Sequence, residues 1–258
     1  MADRLLTAEK VLRVARLLSQ EGALSLGEIS ERLIMNKTVA HRVLSSLRHE
    51  GWVSQEPDTK KYRLGLRMWE IGMGALHHYP VYAVAFPYIE RLAREQKETT
   101  GLSVFDAGEM LFIARVAVVD GTPISVPIAG RALPHTTSGG KVALAFMPDS
   151  DLHIPIESLP AVTARTVTGA ELIQEIAEVR ERGYAINRGG RELDSAGIAA
   201  PIFDHTGRYI ASIYATGPTE GYTDERIKTL APVVMECAAQ VSLALGYRVS
   251  WLAIPNLG

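Results

Sequence analysis

The chain has 258 residues, 47% of them hydrophobic, with 27 Lys and Arg against 29 Asp and Glu and a formal charge of −2. That composition excludes extensive disorder, which requires low hydrophobicity and high net charge, and suits one large domain or two of ordinary size. No run of about 18 apolar residues is present, Met1-Ala2-Asp3-Arg4 has no signal layout, and Cys237 as sole cysteine excludes an internal disulfide or a multi-thiolate zinc site; a soluble, cytoplasmic protein without a membrane partner is expected. The Asn36-Lys37-Thr38 sequon then carries no weight. Residues 1–70 hold 12 Lys and Arg against 9 Asp and Glu, while residues 71–258 hold 15 against 20. A basic end on an acidic body points to a polyanionic partner for the first part alone.

Leu5–Leu18 reads as a helix with Val11, Val14, Ala15 and Leu18 on one stripe, ended by Gly22. Ser25-Leu26-Gly27-Glu28 is a capping box opening a second helix with Leu26, Ile29 and Leu33 inward. Ile34-Met35 turns the chain, and Asn36 caps a third helix reaching about Glu50. With Val39, Val43 and Leu47 inward, that helix turns Lys37, His41, Ser45 and Arg48 outward, flanked by Thr38 and Arg42. Cations and hydroxyls of this kind reach base edges and phosphates. Trp52–Gln55 and Lys61–Leu64 read as two strands of a wing carrying Lys60, Lys61 and Arg63. The pattern is a winged helix-turn-helix. Residues 1–51 contain no Phe, Tyr or Trp, so a stacking platform for single strands is missing and duplex DNA is the expected target.

Leu66–Tyr79 is apolar on most sides (Leu66, Met68, Trp69, Ile71, Met73, Leu76), which predicts a linker helix buried on more than one face, against a partner subunit for example. His77 and His78 are adjacent and do not share a helix face, so no metal site is expected there. Pro80 marks the boundary. Beyond it a helix over Tyr82–Lys97 precedes strands at Leu102–Phe105 and Leu111–Val116, joined through Asp106–Glu109, and a short strand at Ser125–Ile128. A helix follows at Ser138–Phe146, and Thr168-Gly169-Ala170-Glu171 reads as a second capping box for a helix ending at Gly183. Strands at Tyr184–Asn187, Gly197–Phe203 and Tyr209–Ala215 and a helix over Thr223–Leu245 complete an α+β, sensor-like antiparallel sheet with helices on its faces.

No catalytic signature holds. Ser138-Gly139-Gly140-Lys141 imitates a phosphate loop, but His135 and Val142 break the pattern at two positions. Neither H-E-x-x-H nor G-x-S-x-G occurs. Cys237, among Val233, Val234, Ala238 and Val241, reads as a buried small hydrophobe, and His135 as a loop histidine. What remains is a polar helix start, Thr136, Thr137, Ser138, Gly139 and Gly140, whose free amides suit either an anion or ordinary capping.

Several blocks together identify a family resemblance: Lys37–Leu44, Glu50-Gly51-Trp52-Val53, Tyr62-Arg63-Leu64-Gly65, Thr137–Lys141, Glu181-Arg182-Gly183-Tyr184, Gly197–Asp204 and Gly217-Pro218. In order and spacing the chain resembles the IclR-type bacterial transcription regulators. The resemblance implies a winged helix on DNA at 1–65, with contacts from Asn36, Lys37, Thr38, His41, Arg42, Ser45, Arg48, Lys60, Lys61 and Arg63. It further implies a linker helix at 66–80 and a GAF-like effector-binding domain at 81–247; the apolar tail at 248–258 extends past the usual family end. The effector residues it implies are Thr137, Ser138, Gly139, Asn187, Gly197, Tyr214 and Thr216, with no cofactor, metal or catalytic residue. The implied partners are double-stranded DNA, a small organic or aromatic acid and further copies of the chain, as a homodimer or a dimer of dimers. Asn187, Gly197 and Tyr214 depart from the residues that members binding small keto acids carry there, which argues against a two- or three-carbon keto acid and for a differently shaped pocket. An enzyme acting on a small acid, or a protein-interaction module, are the alternatives.

Overall fold

The computed structural model describes residues 6–76, 78–119, 122–125 and 130–248. The chain divides into two compact units, Met1–Tyr79 and Pro80–Gly258. In the first, helices α1 (Leu6–Glu21), α2 (Leu26–Arg32) and α3 (Lys37–His49) precede a hairpin of β1 (Val53–Gln55) and β2 (Tyr62–Leu64), and α4 (Leu66–Leu76) follows. At Ser25 the hydroxyl accepts from the Glu28 amide while the Glu28 carboxylate accepts from the Ser25 amide at 2.7 Å, the reciprocal cap that the Ser-x-x-Glu spacing predicts. The hydrogen bonds from Ser25 hold the Glu28 carboxyl below its ordinary range. Asn36 caps α3 through Oδ1, which accepts from the Thr38 amide at 2.8 Å.

Val14, Leu18, Ile29, Val43, Leu44 and Leu47 close around Val53 and Tyr62 to form the core of this unit. Val39, expected inward, is only half-buried; the 3.6-residue period carries the buried stripe through Ala40, Val43, Leu44 and Leu47 instead. Gly65 lies so near the preceding turn that a Cβ there would stand 2.2 Å from the Gly51 carbonyl oxygen, so only glycine lets the wing return to the end of α3.

The burial expected of α4 is not supplied by the described residues of the chain itself. None of its residues is buried: Leu66 is 80% exposed and Trp69 65%, with Ile71 and Met73 also in the open. The apolar content of this helix has no covering surface among the described residues. His77 lies outside the described residues, and no cluster of metal-ligating side chains occurs among those described.

The second unit is built on one antiparallel sheet. Its strands are β3 (Thr99–Asp106), β4 (Glu109–Val119), β5 (Thr122–Ser125), β6 (Arg131–Ala132), β7 (Ala185–Arg188), β8 (Ser195–Phe203) and β9 (Tyr209–Pro218), in the order β5-β4-β3-β9-β8-β7 with β6 beside β4. The strand expected at Ser125–Ile128 is β5, which lies earlier; residues 126–129 fall outside the described set. Alternation along the strands separates two cores. Ala196, Ile198, Ala200 and Ile202 of β8, with Ala211, Ile213 and Ala215 of β9, face helices α5 (Pro80–Gln96) and α9 (Asp224–Ala244). Ala199, Tyr209 and Tyr214 face the opposite way, toward α6 (Ser138–Phe146) and α8 (Gly169–Arg182); a short α7 (Asp149–Leu152) lies between them in sequence. Cys237 is buried in α9, and burial pushes its thiol up to about 12, as expected for an inert core position.

The second capping box does not form. Thr168 makes no side-chain cap, and the next residue, Gly169, enters the helix at φ 60°, a left-handed step absent from the Ser25 cap. At the far end Gly183 turns left-handed (φ 80°) and its amide donates to the Val179 carbonyl, the usual glycine stop.

Replacing Ser25 by Ala removes one half of the reciprocal cap and is expected to cost the first unit about 1 kcal/mol. Hydrogen exchange at the first amides of α2 reads this directly: they should exchange severalfold faster in the variant, and unaltered rates would contradict the assignment.

Candidate functional site

Two surfaces concentrate polar chemistry, one in each unit. On α3 the side chains of Lys37, Thr38, His41, Arg42, Ser45 and Arg48 are all exposed, opposite the buried stripe. The wing presents Lys60, at φ 56° in its tight turn, and Arg63, while Lys61 is half-buried. These groups differ in freedom. Arg48 donates to Gln55 Oε1 at 2.9 Å, and Gln55 Nε2 donates to the Lys60 carbonyl at 2.9 Å. The end of α3 is thus tied to the wing turn through one glutamine, which sequence reading missed because the contact spans two elements. Arg63 donates to Ser54 across the hairpin, and Asn36 is engaged as the cap.

In the second unit a cavity of about 280 Å³ opens between the start of α6 and the sheet. Its shape follows from strand register. Arg115 on β4, Gly101 on β3 and Tyr214 on β9 form one row, and Thr99, Thr216, Gly197 and Asn187 form the next. Small residues in these rows leave room for other groups. A Cβ on Gly197 would lie 3.2 Å from Ser138 Oγ, and one on Gly101 would lie 2.3 Å from the Tyr214 hydroxyl. Tyr214 therefore lies across β3, edge-on to Phe112 with ring centroids 5.6 Å apart. Burial pushes its phenol far up, partly opposed by the charges of Arg115 and Arg191.

Thr137, Ser138, Gly139, Asn187, Gly197, Tyr214 and Thr216 all line this one cavity. Several hydroxyls are already committed: Thr137 accepts from the Gly140 amide at 3.0 Å, Thr216 donates to the Ala196 carbonyl at 2.7 Å and Thr136 to the Leu133 carbonyl at 2.7 Å. Of the expected residues, the polar groups left to meet a ligand are the Ser138 hydroxyl, the Asn187 amide and the Ser138 and Gly139 amides at the start of α6. Phe112, Arg115, Arg191 and Glu192 also line the cavity, and none was expected. Arg115 carried a legible signal, a lone charge in the apolar run Leu111–Val116. Arg191 carried none, since it reaches over from the β7–β8 loop to stand 5.5 Å from the Phe112 ring centre.

Lys141 turns away from the cavity. It is buried and bonds both Glu175 oxygens, at 2.9 and 2.8 Å, fastening α6 to α8. This excludes the phosphate-binding lysine that the Gly-Gly-Lys sequence imitates. His135 is not a loop residue in the open but fully buried in a short 3-10 turn, its Nε2 donating to the Pro160 carbonyl at 2.9 Å and its Nδ1 unpartnered among the described residues. It is not among the residues that line the cavity.

A winged helix-turn-helix with an exposed cationic and hydroxylic helix face, joined to a sheet unit holding a polar cavity at a helix start, defines a ligand-responsive DNA-binding regulator. Residues 7–57 match the IclR helix-turn-helix domain, and residues 73–243 match the bacterial transcriptional regulator IclR C-terminal domain. The glycerol operon regulatory protein of Streptomyces griseus is 30% identical over 250 residues, covering 95% of this chain and 98% of that protein. An IclR transcriptional regulator from Alicyclobacillus acidocaldarius superposes with a TM-score of 0.80 at 27% identity, covering 94% of this chain and 99% of that one. An IclR homologue from Microbacterium hydrocarbonoxydans, solved with 4-hydroxybenzoate, superposes with a TM-score of 0.78 at 28% identity, covering 93% and 98%. The chain belongs to the IclR family of transcriptional regulators.

Burial holds the His135 imidazole below its ordinary value of 6.5, with the Pro160 bond opposing and Lys141 adding to the effect. The unfolded chain therefore takes up this proton first, and the contribution to stability falls as pH drops below about 6.5. Replacing His135 by Gln should flatten that part of the stability–pH curve in denaturant titrations; an equally steep decline in the variant would rule His135 out as its source.

Proposed function

We propose that the first unit reads a pseudo-palindromic duplex operator and that the cavity of the second unit takes a small organic acid, aromatic acids included, whose binding alters operator affinity. The observation that carries this reading is the convergence of Ser138, the α6 amides, Asn187 and Thr216 with the Phe112–Tyr214 aromatic pair on one cavity. The 4-hydroxybenzoate bound to the Microbacterium homologue supports an aromatic acid. Lys37, Thr38, His41, Arg42 and Ser45 supply base and phosphate contacts from α3, with Asn36 and Arg48 at its two ends and Lys60, Lys61 and Arg63 following the backbone from the wing.

The exposed apolar surface of α4 favours assembly with a second copy, because Leu66 and Trp69 gain the cover that one chain lacks. A homodimer, or a pair of dimers, would set two recognition helices roughly 34 Å apart, one DNA turn. The acid shifts DNA binding only in so far as it binds the competent and incompetent states unequally. No cofactor or catalysis enters this reading, and a cytoplasmic location accords with it.

Fluorescence anisotropy on the duplex upstream of the protein's own gene, beside a scrambled duplex, tests it. Selective, salt-sensitive binding is expected, and Lys37→Ala and Arg42→Ala should each weaken it and reduce the salt slope by about 1. Salt slopes identical to that of the unmodified protein would overturn the assignment of α3 as the DNA-reading element.

A further inference from the structure

Acceptance of an acid by the cavity leaves open how many acidic groups that acid carries. The cavity has two different ends. At one, Ser138 and Asn187 are 6% and 8% exposed and face the cavity beside the first amides of α6. At the other, the Tyr214 ring crosses Gly101 so that its hydroxyl stands 3.5 Å from the Ala114 carbonyl on β4, and the charges of Arg115 and Arg191 both act on that phenol. Arg115 follows Ala114 on that strand and lines the cavity, exposed and without a hydrogen bond or ion pair among the described residues. Arg191 extends from the β7–β8 loop to the Phe112 ring on the same strand. Its nearest acid is its own neighbour Glu192, at 3.8 Å and largely exposed, which leaves the far end with an excess of positive charge.

Register sets the separation of the two ends. From Gly197 on β8 to Arg115 on β4 is three strand intervals, roughly 14 Å between backbones. The Phe112–Tyr214 pair gives the arginine side of the cavity its apolar lining. A monocarboxylate satisfies one end and leaves the other charged and unmatched.

Building on the acid-binding reading above, we propose that Arg115 and Arg191 form a second anion-binding subsite and that the ligand is a dicarboxylic acid with a short aromatic or linear spacer. One carboxylate meets Ser138 and the α6 amides, and the second meets the two guanidinium groups. Charge-assisted hydrogen bonds of this kind are the strong ones, and arginine's planar donor fork suits a carboxylate.

Calorimetric titration of the full chain with matched pairs of acids tests this: benzoate against terephthalate, and hexanoate against adipate. The dicarboxylate of at least one pair should bind about tenfold or more tightly than its monocarboxylate, and Arg115→Gln and Arg191→Gln should each bring that ratio several-fold toward one. Both arginines are exposed, so neither substitution disturbs a packed core. Equal binding within both pairs, or a ratio indifferent to both substitutions, overturns the second subsite and leaves the acid-binding reading standing. Failure of all four acids to bind overturns both.

Discussion

Everything in the second unit depends on how closely the start of α6 is pressed onto the sheet. A side chain at Gly139 would collide with Ser103, a Cβ standing 2.6 Å from its Oγ, and one at Gly140 would stand 2.1 Å from the Pro134 carbonyl oxygen. The contact is locked by hydroxyls: Ser212 donates to the Gly139 carbonyl at 2.8 Å and is itself paired with the Tyr209 hydroxyl at 2.9 Å. Fixing that carbonyl fixes the peptides around it, so the Ser138 and Gly139 amides, whose residues line the cavity, are held in place. At the next turn Lys141 and Glu175 hold the same helix from the α8 side. A buried ion pair of this kind adds little net stability, but loss of one partner strands the other, at about 3–5 kcal/mol. The cost of the close fit shows at Ser103, whose buried hydroxyl has no partner among the described residues.

Local chemistry was legible in the sequence, and non-local register was not. Ser25-x-x-Glu28 and Thr168-x-x-Glu171 are the same pattern, yet only the first closes, because a left-handed glycine follows Thr168. The apolar residues of α3 indicated its buried face to within one position. In α4 the same kind of pattern signalled a need for burial but not its source, and Trp69 stands exposed in the single chain. Thr137, Ser138 and Gly139 stood out as a helix start, whereas Asn187, Gly197, Tyr214 and Thr216 came from family resemblance alone. Their meeting is a matter of strand pairing between segments far apart in the chain. Arg191 shows the limit most clearly, since nothing near it in sequence indicates the Phe112 ring it reaches.

The first unit applies a similar economy with different groups. Gln55 bridges Arg48 of α3 to the wing turn at Lys60, so the helix that would lie in a groove and the hairpin that would follow the backbone are braced as one piece. Such bracing favours a protein that reads its target with little internal rearrangement, placing the burden of fit on the DNA.

The reach of Arg191 to the Phe112 ring also has a kinetic side. An occupant paired with that exposed guanidinium would have to break the pairing to leave. Exposed side chains change rotamer in picoseconds to nanoseconds, far faster than a dilute solute arrives by diffusion. Pairing with such a side chain would therefore leave the rate of capture almost untouched and act on residence time, longer for an occupant that matches its charge than for one that does not. A sensor built this way discriminates by how long it remembers each encounter.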